Sequence, residues 1–238
     1  MFSIDVPYIF KAFTKLVVYL PITLKLVFWS LLFGFVFGVL LTKAKLSKNK
    51  LLRTLAYGYT GLMRSTPTII LLFVVFYGIP PLFSELFNLD ISGWSRDIFC
   101  IITFSLFGAS SISEIIRPAY ESVDKGQREA ALSIGQTELQ AFFRVILPQT
   151  FLVALPGLGN NLINLIKEAA LAFTIGTVDI MGEANVLYGL NYGSKTLEIY
   201  IAVSMIYWAL SIIIDRCVLG FEKLFAKGRS TRAIKKSQ

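Results

Sequence analysis

Asn160, Asn161 and Asn164 interrupt an apolar run over residues 151–173. Helical spacing puts Asn160 and Asn164 on one face with Asn161 adjacent. Amides in apolar surroundings need partners, and two readings meet that need. One is hydrogen bonding between neighbouring helices; the other is a site where amides meet the amino and carboxylate groups of a small polar substrate. Arg64 and Glu114 are further substrate-contact candidates, with a structural role as their other reading. Hydrolytic chemistry has little to work with. Histidine is absent, which removes His-based metal sites and Ser-His-Asp triads, so no catalytic residue and no metal ligand is assigned. Residues 189–196, Gly-Leu-Asn-Tyr-Gly-Ser-Lys-Thr, have the outline of a phosphate cradle. Ser194 stands where its second glycine belongs, however, and no strand precedes it.

The elements that must position these residues are membrane helices. A chain of 238 residues with 55% hydrophobic side chains, 16% charged ones and a mean hydropathy of +0.67 is no ordinary soluble domain. Runs long enough to cross about 30 Å of hydrocarbon lie at about 20–42, 57–79, 98–116, 151–173 and 199–219. The expected fold is therefore all-α and integral to the membrane, with five spans in one domain over residues 20–220. Residues 1–19 read as an amphipathic surface segment without the features of a cleaved leader, and 221–238 as a basic tail. The net charge of +8 does not point to nucleic acid, because the basic residues cluster at the ends of apolar runs. Cys100 and Cys217 fall near opposite membrane faces, too far apart for a disulfide, and read as small apolar fillers.

Orientation follows from charge. Lys43, Lys45, Lys48, Lys50 and Arg53 fill the first loop without an acid, the pattern of a cytoplasmic loop. The second loop sets Glu85, Asp90 and Asp97 against Arg96, and the loop after the fourth span sets Asp179, Glu183 and Glu198 against Lys195, each summing to −2. Both are expected outside. The tail, rich in Lys and Arg, is expected inside, so five spans put the N-terminus outside and residues 117–149 in the cytoplasm. Lys25 sits awkwardly within the first span and must reach outward.

That cytoplasmic insert carries a spaced pattern. Glu129-Ala130-Ala131 is followed after three residues by Gly135, after nine more by Val145, and then by Leu147-Pro148. Residues 127–134 suit a short helix, and Gly135 offers either the backbone conformation that ends it or a close approach. A second helix over 137–147 places Leu139, Phe142, Phe143 and Ile146 on one face, and Pro148 is expected to close it.

The pattern resembles the EAA loop of permeases of ATP-binding-cassette importers, E-A-A, three residues, G, nine residues, I, one residue, L-P, with Val145 in place of Ile. The resemblance covers about residues 15–225. Arg64-Ser65-Thr66-Pro67 is similar to the R-G-T-P of the polar amino-acid uptake subfamily, with Ser65 for Gly. Ser113-Glu114-Ile115-Ile116-Arg117, Lys125-Gly126-Gln127, Leu155-Pro156 and Asn160 also match. Lys167-Glu168-Ala169-Ala170-Leu171 stands where the family carries K-D/E-T-S-L, a departure that weakens any transfer of side-chain roles there.

The resemblance implies a MetI-like permease in a bacterial cell membrane. Its expected partners are a dimer of ATPase subunits, a second permease subunit, an extracytoplasmic substrate-binding protein, the lipid bilayer and an amino-acid substrate. No cofactor is expected in the chain itself; ATP and Mg would be held by the partner ATPase. Gly126, Glu129, Ala130, Ala131, Gly135, Leu147 and Pro148 would form the coupling element docked on that ATPase. Residues 171–182 look most like permeases for cystine or related sulfur amino acids. A secondary transporter is the alternative, but the internal repeats expected of one are not visible.

Overall fold

The computed structural model describes residues 4–234, with side chains placed through residue 224. It is all-helical among these residues, and five helices are long and apolar enough to cross a membrane. The basic residues of the expected tail from Lys227 onward lie outside the described side chains.

Helix α1 (Val6–Val17) is capped by Asp5, whose carboxylate accepts the Tyr8 N–H at 3.1 Å. It buries Ile9, Ala12 and Leu16 against α10 (Ile180–Leu190) and α11 (Thr196–Ile234). The first span is α2 (Leu20–Lys45), and it packs along α6 (Arg96–Glu121). Glycine makes that approach close: a Cβ on Gly34 would stand 3.2 Å from the Ser105 carbonyl, and one on Gly38 would stand 2.7 Å from the Ile112 side chain. Small residues at four-residue spacing let two membrane helices bring their backbones together, where dispersion replaces the missing hydrophobic drive. Lys25 finds its partner here, 3.0 Å from Asp97 at the start of α6. That pairing explains a lysine that hydropathy alone left stranded.

The second expected span, 57–79, is not one continuous helix. Helix α3 (Lys50–Ser65) stops at Thr66, which is extended at φ −96° and ψ 126°. Pro67 is the cause, because its ring excludes helical geometry from the residue before it. The crossing segment is the later run Thr68–Phe87, composed of α4 (Thr68–Phe73), a π-turn (Val74–Gly78) and α5 (Ile79–Phe87).

The fourth helix differs from expectation too. Pro148 does not close a separate helix over 137–147. Instead α8 (Glu138–Ala141) passes through a π-turn (Phe142–Ile146) into α9 (Leu147–Ala169), which ends in a 3-10 turn (Ala170–Ile175). The wider turn lets Leu147 donate its N–H to the Phe142 carbonyl five residues back. A proline placed just beyond such a turn loses no α-helical bond it could otherwise make, and its ring is spared a collision with the preceding turn. Both π-turns are followed two residues later by a proline, Pro80 and Pro148.

Two cores result. Leu26, Leu72, Phe99, Phe104, Leu165 and Ala169 are buried where α2, α4, α6 and α9 meet. Ile9, Leu16, Ile180, Leu187, Ile199 and Ile206 fill the other, under α1. Phe28, Phe37, Val74, Ile213 and Trp208 remain exposed on the outside, as lipid-facing side chains should. Cys100 is buried and Cys217 exposed, both free.

Candidate functional site

The segment between α6 and α9 is built to stay put. Helix α7 (Lys125–Ser133) starts at Asp124, whose carboxylate accepts the Gly126 N–H at 2.6 Å. A Cβ at Gly126 would come within 2.8 Å of that same oxygen, so the cap needs glycine there. At the far end Gly135 has φ +85°, its N–H bonds the Leu132 carbonyl at 3.0 Å, and the Gln136 N–H bonds the Ala131 carbonyl at 3.1 Å. This is the left-handed helix stop that glycine adopts at least cost. No atom lies within 4 Å of a Cβ built on Gly135, so conformation rather than close approach explains the residue.

Arg128 then grips Glu138 with two hydrogen bonds across the turn. Thr137 and Gln140 form a capping box for α8. Only Ala131 of the tripeptide is buried; Glu129 and Ala130 face outward, as do Leu147 and Pro148 at the head of α9. Ile134, Leu139 and Phe143 are 75%, 71% and 59% exposed. An exposed apolar patch rimmed by charge, held by a rigid turn, is the anatomy of a protein contact. Of the face expected over 139–146, Ile146 is buried and Phe142 half-buried, while Leu139 and Phe143 belong to this outer patch.

Arg64 and Glu114 come together in an ion cluster. Lys45, whose side chain is fully buried, lies 2.5 Å from Glu114 and donates to Ser113 at 2.8 Å. Arg64 and Arg117 stand 3.8 Å and 3.6 Å from the other Glu114 oxygen, and the Tyr57 ring faces both Lys45 and Arg117. A carboxylate shared by three cations pins the ends of α2, α3 and α6 to one point. Sequence reading found Arg64 and Glu114 but not Lys45, which looked like one more loop lysine; its position in the last turn of an apolar helix was the only available signal.

The asparagines separate by one helical step. Asn160 and Asn164 are exposed on a stripe of α9 with Val153, Pro156 and Lys167. Asn161 turns inward, 9% exposed, and its Nδ2 is buried without a hydrogen-bond partner. It lines a cavity of about 200 Å³ together with Gly108 and Ser111 of α6 and with Asn164, Lys167 and Glu168 of α9. Asn160 opens instead onto a second hollow, beside Asp215 of α11. Neither Arg64 nor Glu114 lines the asparagine cavity. Its α6 wall, Gly108 and Ser111, sits midway along that helix, and its α9 wall lies in the last third of α9. Lys167 and Glu168 are not paired with each other; both are available to the cavity. Among the described residues no group of His, Cys, Asp and Glu is placed to hold a metal.

At the other end of the molecule Asp5 accepts from Lys195 at 2.7 Å, and its own N–H donates to Glu198 at 3.1 Å. The Lys195 hydrogen bond, with the Tyr8 N–H, holds the Asp5 carboxyl below its usual range. Asp179, the cap of α10, is fully buried and accepts from the Gly182 N–H at 2.9 Å and the Thr23 hydroxyl at 3.3 Å. Burial pushes its carboxyl up to about 6.

Five long apolar helices, a polar cavity between α6 and α9, and a capped, outward-facing helix joining those two have the architecture of the membrane-spanning subunit of a transport assembly. The sequence profile of the "Binding-protein-dependent transport system inner membrane component" family matches residues 30–227, and the chain belongs to that family: it is the permease subunit of an ATP-binding-cassette importer. It is 39% identical over 215 residues to the "L-cystine transport system permease protein TcyL" of Bacillus subtilis, covering 90% of this chain and 89% of that one. It is 36% identical over 217 residues to the "Nopaline transport system permease protein NocM" of Agrobacterium fabrum, with the same coverages of 90% and 89%. A solved structure, "Crystal structure of an amino acid ABC transporter with histidines", superposes with a TM-score of 0.78 at 28% identity over 93% of this chain and 99% of the other. An inward-facing MetNI methionine transporter chain shares the fold, with a TM-score of 0.68 at 23% identity over 88% and 95% of the two chains.

Proposed function

We propose that this chain carries an amino acid across a bacterial cell membrane, and that the cavity around Asn161 is where the substrate's zwitterionic head pauses. The observation that carries this is a buried amide nitrogen with no partner, facing a cavity that also offers an ammonium from Lys167 and a carboxylate from Glu168. An orphaned buried donor costs about 1–3 kcal/mol, and a substrate carboxylate would offset that. Lys167 and Asn164 suit the same carboxylate, and Glu168 suits the α-ammonium.

In this reading Glu129, Ala130, Gly135, Leu147 and Pro148 form the surface that meets a dimer of ATPase subunits, which hold ATP and Mg. Gly126, at the cap of α7, and the buried Ala131 shape that surface. The exposed stripe of α9 faces a second permease subunit, of the same or related sequence, across the pathway. An extracytoplasmic binding protein delivers the substrate from the side of Asp5 and Lys195, with the N-terminus outside and the C-terminus in the cytoplasm. The likeness to an L-cystine permease and the resemblance over residues 171–182 favour cystine or a related sulfur amino acid as the cargo.

The test is uptake by vesicles containing the assembled transporter, with a panel of labelled amino acids. Asn161→Ala is expected to raise the KM for the preferred amino acid about tenfold, while basal ATP hydrolysis and assembly with the ATPase stay unchanged. An unaltered KM removes the cavity from the pathway. Failure of any ATPase to co-purify in mild detergent removes the importer reading, and competition by excess cystine decides the cargo.

A further inference from the structure

A groove of about 620 Å³ runs between α2, α6 and α9, on the side of α9 away from Asn160. Leu158 lines it, and Leu158 is two residues from Asn160; at 3.6 residues per turn the two side chains leave α9 in nearly opposite directions. The polar stripe and this groove therefore face different surroundings. Its walls are apolar, Phe35 and Val39 among them, both 42% exposed. Phe142 and Leu147, at the π-turn that joins the coupling segment to α9, form one end.

Lys43 stands at that end, exposed. It takes part in none of the ion pairs among the described residues. Lys48, Lys50 and Arg53 follow it without an intervening acid. From Phe35 to Lys43 the helix rises about 12 Å at 1.5 Å per residue, close to the roughly 15 Å of hydrocarbon in one leaflet. An apolar channel one leaflet long, with an unneutralised cation at the level of the headgroups, is complementary to one kind of occupant.

We propose that this groove binds an anionic phospholipid of the leaflet on the coupling-helix side, its acyl chain lying along Phe35 and Val39 and its phosphate on Lys43. The proposal rests on the membrane orientation given above. Its consequence is that the bound lipid touches the π-turn through which α7 and α8 move α9, so anionic lipid content tunes coupling.

The experiment uses the transporter complex purified through this chain, offered equal amounts of phosphatidylglycerol and phosphatidylcholine and read by native mass spectrometry. Wild type should retain phosphatidylglycerol about fivefold over phosphatidylcholine, the ratio that corresponds to about 1 kcal/mol for one basic residue near the surface. Lys43→Gln should bring the ratio to about one. Val39→Trp, at an exposed position, should reduce retention of both lipids by filling the groove. A wild-type ratio of one, or a Lys43→Gln variant with the wild-type ratio, overturns the proposal, as does undiminished retention in Val39→Trp. The ATPase subunit is scored in the same spectra: its presence alongside absent lipid preference defeats the lipid site alone, and its absence defeats the importer reading beneath it.

Discussion

Gly135 offers the sharpest test of the proposed coupling element, because the structure isolates one cause for the residue. Its φ of +85° is left-handed, and no atom lies within 4 Å of an added Cβ. Alanine there meets no clash and pays only the left-handed conformation, about 1–2 kcal/mol for a non-glycine residue. That lowers the equilibrium constant for the closed turn by about five- to thirtyfold. Gly135→Ala should therefore reduce ATP-driven uptake in membrane vesicles, by at most that factor. Gly135→Asn should keep most of it, since asparagine tolerates the left-handed region. Gly135→Asp has a comparable backbone preference but sets a carboxylate beside the apolar Ile134 and Leu139 patch and near Glu138; it should abolish uptake while membrane insertion stays normal. Substrate-stimulated ATP hydrolysis should fall in parallel, showing that the contact rather than the pathway is lost. Equal uptake in Gly135→Ala and wild type would refute the conformational argument, and normal uptake in Gly135→Asp would remove this turn from the coupling surface.

Two further outcomes follow from packing and charge. Gly38→Val should destabilise the α2–α6 pair by about 1–3 kcal/mol through overpacking, since its Cβ would already stand 2.7 Å from Ile112; Ile112→Ala in the same chain should recover part of the loss, and thermal unfolding in detergent reads both. Asp179 has a folded-state carboxyl raised from 3.8 to about 6, so the neutral acid suits the folded protein. The contribution of Asp179 to stability is then fully present below pH 4 and is lost as pH rises through about 6, by about 3 kcal/mol in all. Asp179→Asn keeps a capping side chain and should flatten this slope between pH 4.5 and 7.5; an unchanged slope would show that another group titrates.

The number of long apolar helices was legible because hydropathy and length are local properties, each read from some twenty consecutive residues. The turn after α7 was legible for a similar reason, as one of the two readings of Gly135: that residue acts on its own backbone. The breaks were harder. The hydropathy run 57–79 passes through Pro67 and Pro148 reads as a stop, yet Pro67 interrupts its helix and Pro148 does not, because an extended Thr66 precedes Pro67 and a π-turn precedes Pro148. Lys45 and Glu114 lie 69 residues apart, and nothing local links them.

By itself the sequence determined an all-helical membrane chain with a capped helix between its third and fourth long apolar segments, since burial in lipid obliges backbone groups to bond within their own helix. The same constraint leaves side-chain direction open. Whether Asn161 or its neighbours turned inward, whether Lys25 and Lys45 met acids, and which side of α9 faced a groove depended on how each helix rotates about its own axis. One residue along a helix is 100° of rotation, and packing, as at the close approaches of Gly34 and Gly38 to α6, fixes that angle.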